Sequence, residues 1–90
     1  MKIKDLCKKV EAGKTTLAVV NESGNVVDIM VLNGDIDQIL MIEKWFDYSK
    51  LADDEYLYRF YRFVRLFDTP QVYGVDSQEI ETTRWHLIEC

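Results

Sequence analysis

The sequence predicts a small α+β fold: an N-terminal helix, an antiparallel β-hairpin, two helices and C-terminal strands. Three observations carry this reading. Ile3, Leu6, Cys7 and Val10 recur at helical spacing. Two β-branched runs, Thr15 to Glu22 and Val26 to Leu32, are separated by Ser23-Gly24-Asn25. Between Asp53 and Phe67, Tyr56, Tyr58, Phe60, Tyr61, Phe63 and Phe67 alternate with arginines at every third position, a period that suits a helix.

The first helix carries a narrow apolar stripe, with Lys2, Lys4, Lys8, Lys9 and Glu11 around it. Gly13 is placed to end it, because a glycine tolerates the left-handed conformation of a helix stop. The hairpin follows. Asn33-Gly34-Asp35 then admits two readings: a second hairpin turn, or a strand end followed by a helix cap. The second is favoured, with a helix from about Ile36 to Tyr48 burying Ile36, Ile39, Leu40, Ile42 and Phe46. Glu43 and Asp47 intrude on that arc.

The next expected element is the aromatic helix. Asp53 would be its N-cap, with Asp54 and Glu55 at the positive end of the helix dipole. At about 100° per residue, Leu57, Phe60, Tyr61, Val64 and Phe67 share one face. Arg59, Arg62 and Arg65 fall opposite, and Pro70 closes the segment. Gln71 to Val75 reads as a short strand. Residues 78–89 fit a strand by propensity and a helix by spacing; the strand is favoured, giving a terminal hairpin.

Ninety residues with a net charge of −5 and one proline make one folded, acidic domain over residues 1–90. The charge works against broad contact with nucleic acid or with a membrane, and it suits basic protein partners. Cys7 and Cys90 are too few for a disulfide framework, and no apolar run approaches the ~20 residues of a membrane span. The expectation is a cytoplasmic protein with reduced thiols.

Several motifs bear on chemistry. Ala12-Gly13-Lys14-Thr15-Thr16 looks like the end of a phosphate-binding loop, but Lys8 stands where that loop needs glycine. Asn33, Asp35 and Asp37 resemble the start of a calcium loop, but Gln38 and Lys44 replace its glycine and acid. Cys7, His86 and Cys90 form a candidate zinc set, if the first helix packs against the C-terminal element. The alternative is that Cys7 acts as a small hydrophobe in its stripe. Zinc is thus the one cofactor in question. His86 is the lone histidine and no nucleophile elbow is present, so an enzyme is not expected.

The remaining signal is a surface. Asp35, Asp37, Glu43, Asp47, Asp53, Asp54 and Glu55 concentrate in 21 residues, interrupted only by the bases Lys44 and Lys50. Trp45, Tyr48, Tyr56 and Tyr58 interleave with them, and such aromatics are enriched at protein interfaces. Acid with aromatic suits an arginine-rich groove that would otherwise hold phosphates. Helix caps and a solvated face are the simpler use of the same residues.

Met1-Lys2-Ile3-Lys4-Asp5-Leu6 and Asp53-Asp54-Glu55-Tyr56 carry a resemblance. The chain resembles the small acidic anti-CRISPR proteins of phages, in particular a Cas9-inhibiting family of about this length. That family opens on a Met-x-Ile-x-Asp-Leu helix, continues into a short antiparallel sheet and ends in acidic and aromatic helices. Cys7, the arginines of the aromatic segment and residues 70–90 have no counterpart in it. The resemblance implies stoichiometric binding to a Cas9-type effector in the bacterial host cytoplasm, blocking its access to DNA, with Asp53, Asp54 and Glu55 as contacts. The alternative is a small homodimeric regulatory or assembly module, joined through Tyr58, Leu66 and the Trp45 face.

Overall fold

In the computed structural model, which describes residues 1–62 and 85–90, a four-stranded mixed sheet carries one helix on each face. The element order is α1 (Ile3–Cys7), β1 (Thr15–Asn21), β2 (Val26–Gly34), α2 (Ile36–Trp45), a single 3-10 turn (Tyr48–Lys50), β3 (Glu55–Tyr61) and β4 (Trp85–Glu89). The strand order is β2-β1-β3-β4. β1 is antiparallel to both β2 and β3, and β4 is parallel to β3. The α+β class is as expected. No helix among the described residues is long and apolar enough to cross a membrane.

The hairpin forms as the sequence indicates. Asn21 organises its turn: its Oδ1 accepts from the amides of Ser23 (3.1 Å) and Asn25 (3.0 Å), and Gly24 takes φ +80°. β1 is central, and Thr15 to Val20 are all buried. A strand covered on both faces needs no polar alternation. Leu17 and Val19 face one core with Val31, Ile39, Leu57 and Trp85. Ala18 and Val20 face the other with Leu6, Val10 and Phe60. β2 is an outer strand with several register shifts. Such bulges twist an edge away from unwanted pairing.

The Asn33-Gly34 ambiguity resolves as strand end and helix start. Asn33 adopts φ +55°, accepts from the Glu11 amide (2.8 Å) and donates to the Lys9 carbonyl (3.1 Å). It thereby ties the α1–β1 loop to β2. Gly34 is required by packing, since a Cβ there would come within 2.5 Å of Val31 Cγ1. α2 ends at Trp45, three residues before the expected Tyr48. Ile39, Ile42 and Phe46 point inward as expected.

The aromatic helix is overturned: residues 55–61 form strand β3, in register with β1 from Thr15↔Tyr61 to Asn21↔Glu55. Asp53 therefore caps no helix, and the acidic segment leads into a strand. The physical reason lies in the faces. Tyr56, Tyr58 and Phe60 alternate with Leu57, Arg59 and Tyr61, and both sets meet packed layers. A strand buried on both sides reads as an uninterrupted apolar run, which periodicity alone cannot tell from a helix. Arg59 is also corrected: instead of lying on an outer face it is 2% exposed. Arg62 turns back to donate to the carbonyls of Val10 (2.9 Å) and Cys7 (2.7 Å), the exit of α1. Helix α1 stops at Cys7, earlier than expected, and Gly13 takes φ +76° in the following loop. Residues 63–67 of the expected helix, the Gln71 to Val75 strand and residues 78–84 lie outside the described residues. Trp85–Glu89 is a strand as favoured, paired in parallel with β3.

The thiols are corrected as well. Cys7 and Cys90 are joined in a disulfide, Cα atoms 5.2 Å apart, linking α1 to the residue that follows β4.

Phe60 is fully buried at the centre of the α1-side core. Phe60→Ala should lower the unfolding free energy by about 3–5 kcal/mol, a large part of a small domain's stability. Urea denaturation of parent and variant measures this directly. A variant as stable as the parent would mean that this face is not the core.

Candidate functional site

Four of the expected acidic contacts are occupied by the fold itself. Glu43, on α2, reaches into the sheet. Its carboxylate accepts from Arg59 Nε (2.8 Å) and Nη2, and its Oε1 also accepts from Trp85 Nε1 (3.2 Å). The Arg59 guanidinium lies 4.8 Å from the centre of the Trp85 ring. The two charged side chains are 3% and 13% exposed. A fork-shaped guanidinium matched to a carboxylate, with an aromatic face over it, satisfies both charges out of water. Glu43 is thus a structural partner of β3 and β4 and not part of a surface.

Asp47 precedes the 3-10 turn and caps it, accepting from the Ser49 amide (3.0 Å) and hydroxyl (2.6 Å). These bonds hold its carboxyl below the usual carboxylate range. Glu55 Oε1 accepts from the Ala52 amide (2.9 Å), closing the turn that starts β3. Asp35 stands at the N-cap position of α2 but makes no side-chain cap bond. It pairs instead with Lys14 at 2.8 Å, which depresses the Asp35 carboxyl and raises the Lys14 amine.

Asp37, Asp53 and Asp54 make no ion pair among the described residues. Asp37 begins an outward stripe on α2. Met41 and Trp45 follow it at i+4 and i+8, and they are 65% and 76% exposed. Lys44 Nζ sits 5.5 Å from the centre of the Trp45 ring. Beside the stripe lies a cleft of about 470 Å³, formed by Met30 of β2, Met41, Ile42 and Trp45 of α2, Phe46, and Asp47 with Lys50 around the turn. Tyr48 supports its wall through an edge-on contact with Phe46 (4.9 Å between ring centres). The cleft is largely apolar, with one anion and one cation at its edge.

The sequence reading missed Met30, Met41 and Phe46 as site residues. The signal was present: with Ile39, Ile42 and Phe46 inward, a helical projection leaves Met41 and Trp45 together on the outside.

Tyr58 does not join this surface. It lies on the opposite face of the sheet, where its ring meets Phe60 (5.9 Å) and His86 (4.9 Å). Burial there raises its phenol, with a smaller push from Tyr56. Nor are Cys7, His86 and Cys90 gathered at one point. The disulfide takes both sulfurs out of thiolate form, the form that ligates metal. His86 lies four residues before Cys90, roughly 13 Å along an extended strand, and packs against Tyr56 (5.2 Å) and Tyr58.

Two tests separate structural acids from surface acids. Glu43→Ala removes the carboxylate that accepts from the buried Arg59 guanidinium and the Trp85 indole, and should cost about 3–5 kcal/mol. Replacing Glu43 and Arg59 together by leucine and methionine should cost less than the single change, as read by urea unfolding. The exposed acids act through pH instead. Asp35 and Asp47 have lowered carboxyls, so their contribution is present above the unfolded carboxylate value and fades as pH falls through the folded one. Lys14, raised, contributes below its unfolded value and loses that contribution as pH rises through the folded one. The stability gap between parent and Asp47→Asn should therefore be small at about pH 7 and vanish by about pH 2. Urea midpoints at the two pH values measure it; a gap that grows with acid contradicts the assignment.

No protein-family model matches the chain, and neither a curated protein nor a solved structure does.

Proposed function

We propose that this domain binds another protein and acts by occupying it, without turnover, through the outward face of α2 and the turn that follows. The observation that carries this reading is the Asp37–Met41–Trp45 stripe, with Trp45 76% exposed beside an apolar cleft. An exposed tryptophan and methionine next to a concave apolar wall have the make-up of an interface anchor. Among the described residues, α2 is held by Ile39, Ile42 and Phe46 and by Glu43. Asp37 and Asp47 accompany the stripe, with Lys44 against the Trp45 ring and Lys50 at the cleft edge, and Asp53 and Asp54 add two more acids on a separate turn. Such a surface suits a partner presenting arginine or lysine around an apolar contact, as a nucleic-acid-binding groove does.

The resemblance to anti-CRISPR proteins supplies the partner class: a Cas9-type effector whose access to DNA is blocked. The Met1–Leu6 opening and the Asp53–Glu55 segment support it. Of those acids, Asp53 and Asp54 are the candidate contacts, because Glu55 is committed to its own turn.

Trp45→Ala and Met41→Ala should melt within a degree or two of the parent, since both side chains are exposed. Each should weaken protection of target DNA in a Cas9 cleavage reaction on the order of tenfold or more. Asp53→Asn with Asp54→Asn should mainly slow association and reduce its salt dependence. A parent that neither binds nor protects, across several Cas9 orthologues, removes the effector. Variants that inhibit like the parent clear the α2 face. If the parent sediments as a dimer that Trp45→Ala splits, a second copy of the chain occupies this face instead.

A further inference from the structure

β4 is held at two points on opposite faces of the sheet. At one end, Trp85 is tied to Glu43 and Arg59 in the α2-side core. At the other, Cys90 is bonded to Cys7 of α1 and donates its amide to the Tyr61 carbonyl (2.8 Å). Between them Leu87 and Ile88 enter the two cores from opposite sides. Among the described residues β4 pairs only with β3.

The two partners of the disulfide are unequally anchored. α1 has independent ties. Leu6 and Val10 are buried, Arg62 bonds the Cys7 and Val10 carbonyls, and Lys2 bridges to Asn25. Among the described residues the Cys90 end of β4 has no fully buried side chain: besides its register with Phe60 and Tyr61 of β3, it has the half-buried Ile88 and the Cys90 amide bond. We infer that the Cys7–Cys90 bond is a redox latch on β4: its reduction frees the strand's Ile88–Cys90 end and uncovers the outer edge of β3 near Phe60 and Tyr61, while α1 and Trp85 stay in place.

Both cysteines are half-buried, so a sulfur can be approached from solvent. A dithiol reductant of the thioredoxin class opens the bond by exchange. Its thiolate attacks one sulfur, a mixed disulfide forms, and the other cysteine leaves as thiolate. The reductant's second thiol then displaces the first cysteine. Two electrons and two protons enter the pair, and the reductant becomes the disulfide.

The test is amide hydrogen exchange by NMR on three samples: the oxidised protein, the protein reduced with a phosphine, and Cys7→Ser/Cys90→Ser. In the last two, protection at Ile88, Glu89 and Cys90 should fall on the order of tenfold or more. The amides of Leu6 to Val10 and of the β1–β2 hairpin should stay within about twofold. In a Trp45→Phe background the emission of Trp85 should keep its wavelength. Protection retained at residues 88–90 overturns the latch. So does a uniform loss across the sheet, up to unfolding, which would make the bond a general staple. Two free thiols in protein purified without reductant would show that the bond does not form, and would overturn it as well.

Discussion

The Glu43–Arg59–Trp85 contact is what the rest of the structure depends on. It joins a helix, a central strand and an outer strand that are remote in sequence. Hydrophobic packing alone would let α2 slide or rotate over the sheet, because Leu, Ile and Val contacts are non-directional. A bidentate ion pair has one geometry. With Glu43 pinned inward, the stripe of Asp37, Met41 and Trp45 must face out. The structural charge pair and the exposed tryptophan are two consequences of one rotational setting.

Such a pair is an expensive device. Removing two charges from water costs several kcal/mol each, and the mutual attraction offsets this only when hydrogen bonds are complete. Here the pair is completed by the indole N–H on the carboxylate and the indole face on the guanidinium. The gain lies in specifying one arrangement of α2 and β4 against the sheet. That role also explains the short helices. α1 has five residues and α2 ten, lengths at which an isolated helix is marginal. Both persist because the sheet and its polar ties hold them.

The two faces of the sheet are built differently. The α1 side is closed by apolar packing, by Arg62 bonding the helix exit and by the disulfide. The α2 side is closed by the ion pair and leaves an apolar cleft at its border. A face stabilised by a few directional contacts can leave its outer rim free for a partner. The acids divide along the same line: those that terminate turns or pair internally serve the fold, and Asp37, Asp53 and Asp54 are left to the surface.

The sequence alone determined the class, the hairpin and the inner face of α2. Each rests on local signals: β-branched runs around Ser23-Gly24-Asn25, and the spacing of Ile39, Ile42 and Phe46. Its acid–aromatic surface was legible in part, through Asp37, Asp47 and Trp45. Tertiary structure decided what those signals left open. Residues 55–61 became a strand because β1 supplied a ladder on one side and β4 on the other, and no local preference encodes that pairing. Arg59 went inside because Glu43, 16 residues away, was there to neutralise it, whereas spacing could only count it as polar. Cys7 and Cys90 found each other across 83 residues because α1 covers the sheet face that Cys90 joins at the end of β4, a proximity that exists only once the chain has folded.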